Sequence, residues 1–169
     1  MSRKILYHLL LLLLSTMAVA QNPELVIPIS HSGSIMKIEF SPDNKFYASC
    51  GFEGTMKLWS VENQKLIKTL EFESGINDLE FSKKNSLIYA CTAQGELIQW
   101  NYLNDSVIIE KLDSTINKFS LSNTEDSIIL INLYKGGYLY SLSSKKVLSR
   151  LNPEYSIANF SSDGKYIFA

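Results

Sequence analysis

A sequence period of about 40 residues limits what this 169-residue chain can fold into more than any other feature. Short apolar segments end at Phe40, Phe81, Leu121 and Phe160, so they recur at steps of 41, 40 and 39 residues. A unit of this length cannot bury its apolar face alone, and it becomes stable by stacking on its neighbours. The period therefore predicts a repeat architecture.

The first unit has the pattern of three short strands separated by two turns. Met36, Ile38 and Phe40 alternate with charged residues, which indicates a strand with one buried face. Pro, Asp and Asn in residues 41–45 favour a turn, and the nearly unbroken apolar run that follows is typical of a strand covered on both faces. A glycine-containing turn at residues 51–54 then leads into the third strand.

This unit resembles the WD repeat of β-propellers, the WD40 family. The family pattern places a His before the first strand, Ser-Pro-Asp after it, and Asp-Gly shortly before a Trp-Asp pair. His31 and Trp59 match the pattern, whereas Glu53 stands where Asp is usual and Ser60 follows the tryptophan. The resemblance implies a hydrogen-bonded structural tetrad formed by His31, Ser49, Glu53 and Trp59.

The resemblance implies an all-β fold, a β-propeller of four-stranded blades. We expect about three blades and the start of a fourth in an incomplete ring, at residues 35–70, 76–112, 116–151 and 155–169. Residues 25–29 lie in the register of a fourth strand, and in the family such an N-terminal strand closes the ring. Since the sequence stops at Ala169, inside the fourth unit, we expect it to be the N-terminal portion of an exported, bacterial propeller protein.

Residues 1–20 have the pattern of a cleaved signal peptide. Two basic residues precede an apolar run at 5–14, and Ala18 and Ala20 supply the small residues of a cleavage site. The run is about half the length that a spanning helix needs. We therefore expect residues 21–169 to form the propeller portion of a protein exported to the periplasm or the extracellular space, without a membrane span after cleavage.

Charge and metal-ligand content exclude several classes of function. Removal of the signal peptide leaves 14 basic and 17 acidic residues with no basic cluster, which argues against a nucleic-acid partner. One remaining histidine and two cysteines, separated along the repeat, do not supply the converging ligands of a metal site. We expect no metal and no cofactor.

Catalytic residues are also not expected. The resemblance assigns the one remaining imidazole, His31, to the structural tetrad, and a catalytic base is the alternative role for it. The glycine-containing turns at 51–54 and 134–137 lack the Gly-Lys-Ser/Thr ending of a phosphate loop. The sequence therefore favours a protein that is not an enzyme.

The leading hypothesis is a non-catalytic scaffold that presents loops to a protein partner. By resemblance, two sets of loops share one end of the propeller. Their candidate contact residues are Phe52, Phe72, Glu73, Ser74, Gln94 and Tyr134, although Phe72 could equally fill the gap that a missing histidine leaves in the second unit.

Two further hypotheses of function stay open, which makes three in all. The chain could be the recognition arm of a larger enzyme, for example a peptidase-like one, whose catalytic domain lies beyond residue 169. A propeller hydrolase with a metal in its channel is the third reading. Open propeller edges also predict self-association, because unpaired strands and bare apolar faces pair with other chains.

Overall fold

The structure, a computed structural model, describes residues 31–112, 115–132, 134–152 and 157–169. The expected signal peptide at 1–20 and the expected ring-closing strand at 25–29 lie outside these residues. Fourteen strands and no helix occur in the described ranges.

Three four-stranded antiparallel sheets and one two-stranded sheet follow one another along the chain. The first sheet, blade 1, contains β1 (Ile35–Phe40), β2 (Phe46–Gly51), β3 (Thr55–Ser60) and β4 (Leu66–Glu71). Blade 2 contains β5 (Ile76–Phe81), β6 (Leu87–Thr92), β7 (Glu96–Asn101) and β8 (Val107–Lys111). Blade 3 contains β9 (Lys118–Leu121), β10 (Ser127–Asn132), β11 (Gly136–Ser141) and β12 (Lys146–Arg150). A partial blade 4 contains β13 (Asn159–Phe160) and β14 (Ile167–Phe168).

Each full blade is a meander, and the turn between its second and third strands depends on a glycine. Gly54, Gly95 and Gly136 stand 41 residues apart and have φ of 86°, 81° and 74°, a region that side chains rarely adopt. A Cβ at Gly54 would also lie 2.5 Å from the Phe72 carbonyl oxygen. This glycine therefore lets the turn approach the loop that leaves β4.

The hydrophobic core lies between the blades. We call the side chains of a blade that face the preceding blade its leading face and those that face the following blade its trailing face. One buried cluster joins the trailing face of blade 1 to the leading face of blade 2, with Ala48, Cys50, Met56 and Leu58 against Ile76, Leu79, Phe81, Ile88, Ala90, Ile98 and Trp100. A second cluster joins blades 2 and 3, and a third joins blade 3 to partial blade 4.

The leading face of blade 1 has no neighbouring blade among the described residues. Ile38 and Phe40 of β1 are 51% and 57% exposed, although β1 has the same apolar alternation as the buried strand β5. The first strands of successive blades contact one another, which makes them the inner strands of the blades. The expected all-β fold with propeller-type blades is confirmed, and the ring is not closed within the described part of the chain.

Candidate functional site

Four side chains named from the sequence form one hydrogen-bonded chain in blade 1. The Trp59 indole N–H on β3 donates to Ser49 Oγ on β2 at 2.9 Å, and Ser49 Oγ lies 2.7 Å from His31 Nε2. Because the Glu53 carboxylate can only accept, we assign the proton to His31 Nδ1, which donates to it, and in that tautomer Nε2 accepts from the serine hydroxyl. These hydrogen bonds connect the segment before β1 to the two central strands of the blade.

The carboxylate of Glu53 is held by two donors. Thr55, which the sequence reading missed, donates its hydroxyl to the same oxygen that accepts from His31. Burial raises the pKa of Glu53, but the hydrogen bonds from Thr55 and His31 outweigh it and lower the pKa to about 2. Glu53 is therefore ionised at neutral pH.

Two glycines make room for a glutamate where the repeat usually has the shorter aspartate. A Cβ at Gly33 would lie 2.8 Å from Glu53 Oε2, and a Cβ at Gly51 would clash with the same carboxylate. The extra methylene of Glu53 is accommodated because neither neighbour has a side chain.

The order serine, histidine and acid is also that of a nucleophile, its base and an orienting group. Ser49 is only 3% exposed, and the His31 side chain is 2% exposed. The Ser49 oxygen already accepts from Trp59 while its proton faces His31. A substrate would have to displace the tryptophan to reach this oxygen, so the geometry suits a structural link better than a reaction.

Blade 2 lacks this network at the equivalent positions. Phe72 and Gln94 replace the histidine and the acid, and Ala90 replaces the serine. Trp100 keeps the place of Trp59 and is fully buried, yet its Nε1 has no hydrogen-bond partner among the described residues. Phe72 is half-buried and packs against the core between blades 1 and 2. This position suits a packing role better than contact with a partner.

The remaining loop residues named from the sequence lie in the turns between second and third strands and in the loop between β4 and β5. Phe52 is 65% exposed and Tyr134 is 88% exposed, and they stand two repeats apart at the same position of the turn. Gly75 brings two loops together, since its Cβ would lie 2.7 Å from the Phe52 carbonyl oxygen and its own oxygen accepts from the amide of Ala93 at 2.9 Å. Glu73 and Gln94 are exposed, and Ser74 is half-buried.

Backbone hydrogen bonds hold these turns. The Phe52 amide donates to the Ser34 oxygen, and the Phe72 amide donates to the Gly54 oxygen, each at 2.9 Å. Asn132 Oδ1 accepts from the Tyr134 amide at 2.8 Å. The exposed aromatic rings therefore project from fixed backbone.

Carboxylates on the inner strands, which the sequence reading missed, bridge adjacent blades. Asp78 Oδ2 accepts from the Phe119 amide at 3.2 Å, and Glu80 Oε2 accepts from the Leu121 amide at 3.0 Å. Burial raises the pKa of Glu80 to about 7 despite that hydrogen bond. The 41-residue spacing of Glu39 and Glu80 on successive inner strands was a usable signal in the sequence.

Neither a metal site nor a membrane helix is found in the described parts of the chain. Their His, Cys, Asp and Glu side chains form no group of three or more that could hold an ion. None of their segments is a helix with the length and hydropathy of a bilayer span.

Comparison with known families gives one match. Residues 23–60 match the family described as WD domain, G-beta repeat, which covers blade 1 as far as the end of β3 and includes all four residues of the hydrogen-bonded chain. No match was found among curated proteins.

Proposed function

Because the chain carries a WD40 repeat and folds into propeller-type blades, we propose that it is an exported, non-catalytic scaffold that binds a protein partner through the loops at one end. Such repeats typically form interaction modules, and rigid sheets are well suited to presenting binding loops.

The observation that carries the proposal is the pair of exposed aromatic residues on fixed turns. Phe52 and Tyr134 are the most exposed aromatic rings of the second-to-third-strand turns, at 65% and 88%. Large aromatic side chains are enriched in the cores of protein interfaces. The hydrogen bonds that hold both turns lower the ordering cost of binding, which favours a recognition role.

A non-enzymatic role is supported by the burial of the one Ser–His–acid arrangement found in the described residues. Its serine is inaccessible and its polar atoms are used within blade 1. Export is proposed from residues 1–20 alone. Intact-mass analysis of protein from the periplasm or the medium tests it, with a mature chain that starts at Gln21 as the expected result.

A photo-crosslinking experiment tests partner binding at the loops. Phe52→p-benzoylphenylalanine in the exported protein should give a discrete covalent adduct with the partner in an envelope extract. The control is Ile108→p-benzoylphenylalanine, since Ile108 is 56% exposed on the outer strand β8. Excess wild-type protein should compete for the partner and reduce the yield of adduct, whereas an excess of the Phe52→Ala, Tyr134→Ala double variant should not. Equal labelling from both positions would contradict the proposal.

Self-association through open edges stays a prediction of the same kind. Size-exclusion chromatography of wild type and Phe40→Lys tests it, because a charge on the exposed leading face of blade 1 should shift an oligomer toward monomer.

A further inference from the structure

A cleft of about 680 Å³ opens between blades 2 and 3, and residues on both sides of Tyr134 form part of its lining. Strand β8 lines one side, and β11, β12 and the turn before β11 line the other. Its volume lies within the range of ordinary ligand sites. Among the described residues, four cationic side chains and one carboxylate border it, namely Lys111, Lys135, Lys145, Arg150 and Glu110.

The one carboxylate is already bonded within the protein. The Tyr140 hydroxyl donates to Glu110, and Lys145 Nζ lies 3.2 Å from Glu110 Oε2. Lys111 Nζ lies 3.8 Å from the Glu96 carboxylate outside the cleft. Glu110 therefore offsets only one of the four cations, and Lys111 has a loose partner.

Lys135 and Arg150 have no acidic partner among the described residues. Both are exposed, and both border the cleft. The whole chain has a formal net charge of −1, so the cluster is a local excess of positive charge on a weakly acidic protein. A local excess of this kind attracts an anionic ligand into the cleft.

An unpaired strand edge lies beside these charges. β12 is the outer strand of blade 3, all five of its residues are exposed, and Val147 and Arg150 border the cleft. Extended peptides bind such edges through main-chain hydrogen bonds, while alternate side chains supply specificity. The combination of edge and cations favours an extended segment over a small free anion.

We propose that this cleft binds a short, extended, acidic peptide segment of a partner protein, with Lys135 and Arg150 pairing with its carboxylates. The inference rests on the proposed function in that the ligand is a protein segment, and the turn that carries Phe52 does not border the cleft.

Titration with two matched peptides tests the proposal. The probe is acetyl-Thr-Glu-Thr-Glu-Thr-Glu-Thr-Glu-amide, and its control has Gln in place of each Glu. The acidic peptide should bind the full chain at least about tenfold more tightly than the control. Its affinity should fall by about tenfold or more when NaCl is raised from about 0.05 to about 0.5 M, because salt screens exposed charge pairs.

Two charge-matched double variants localise the binding. The double variant Lys135→Gln, Arg150→Gln should bind the acidic peptide about tenfold more weakly than wild type. The control double variant Lys45→Gln, Lys65→Gln removes two exposed lysines of blade 1 and should change the affinity by less than about twofold. Equal binding of the Gln peptide, or equal losses in the two double variants, would overturn the proposal. Binding of inorganic phosphate without binding of the acidic peptide would overturn it too.

The peptide titration and the crosslinking at Phe52 fail independently. Loss of the acidic-peptide signal with an intact Phe52 adduct would reject the cleft and keep the scaffold. The Phe52→Ala variant should bind the acidic peptide as wild type does, because Phe52 does not border the cleft.

Discussion

The leading faces of blades 1 and 2 are built on the same strand register but have opposite surroundings. In blade 2, Leu79 lies beside Ala90 and Ile98 across three strands, and this row is buried against blade 1. The equivalent row of blade 1 is Ile38, Ser49 and Lys57. The row that has a neighbour is wholly apolar, whereas the row without one contains two polar residues.

The buried polar groups of blade 1 are hydrogen-bonded within the blade. Lys57 is only 5% exposed, and its ammonium donates to Thr69 Oγ1 of the next strand at 3.2 Å. Trp59 is also buried, although blade 1 has no preceding blade among the described residues. Its ring stacks on Tyr47 with centroids 5.8 Å apart, and Ser49 accepts its N–H. The same fold position is therefore stabilised by hydrogen bonds in one repeat and by packing alone in the next.

Replacing the two tryptophans gives the largest expected effects. Trp59→Ala and Trp100→Ala should each lower the free energy of unfolding by about 3–5 kcal/mol, because each leaves a cavity. Phe substitutions separate them, since Trp59→Phe also leaves Ser49 without its donor while Trp100→Phe breaks no hydrogen bond in the described residues. Denaturant titration should show the larger loss for Trp59→Phe, by about 1 kcal/mol. Equal losses would remove the distinction between the two blades.

Acid should affect blade 1 through Glu53. Its folded pKa of about 2 lies below the ordinary 4.5, so ionised Glu53 contributes stability above about pH 4.5 that is lost as pH falls toward 2. Glu53→Gln should cost about 1–2 kcal/mol at neutral pH and flatten this part of the stability profile. Gln94→Glu, at the equivalent turn of blade 2, is the matched control and should not steepen it. An unchanged profile in Glu53→Gln would contradict the network.

A serine added to blade 2 should have the smallest effect. Ala90→Ser places a hydroxyl where Ser49 stands relative to its tryptophan, so the Trp100 N–H gains an acceptor. The control Ala48→Ser buries a hydroxyl on the trailing face of blade 1, against the apolar core. We expect Ala90→Ser to be more stable than Ala48→Ser by about 1 kcal/mol in thermal unfolding. The reverse order would show that Trp100 is not the counterpart of Trp59.

The sequence predicted the blades because their signals are local and periodic. Alternation in β1 and β5, turn chemistry, and glycines 41 residues apart are each legible in one unit. The partners of His31 followed from the resemblance to the repeat. The unpaired indole of Trp100 could have been inferred from Ala90, because the two residues occupy the positions of Trp59 and Ser49.

Other features depend on how blades meet, which periodicity does not encode. The bond from Glu80 to the Leu121 amide joins residues 41 apart on different inner strands. The cleft beside Arg150 is lined by strands of two different blades. Opposite exposure of Phe40 and Phe81 has no local signal, because the two strands have the same alternation and differ only in having a neighbour.

The central claim is that stability comes from cores between blades, and one paired measurement tests it most directly. Phe81 is 2% exposed in the core between blades 1 and 2, whereas Phe40, its counterpart one repeat earlier, is 57% exposed. By chemical denaturation of the same chain, Phe81→Ala should lower the free energy of unfolding by about 3–5 kcal/mol, and Phe40→Ala by less than about 1 kcal/mol. Equal losses at the two positions would contradict the claim.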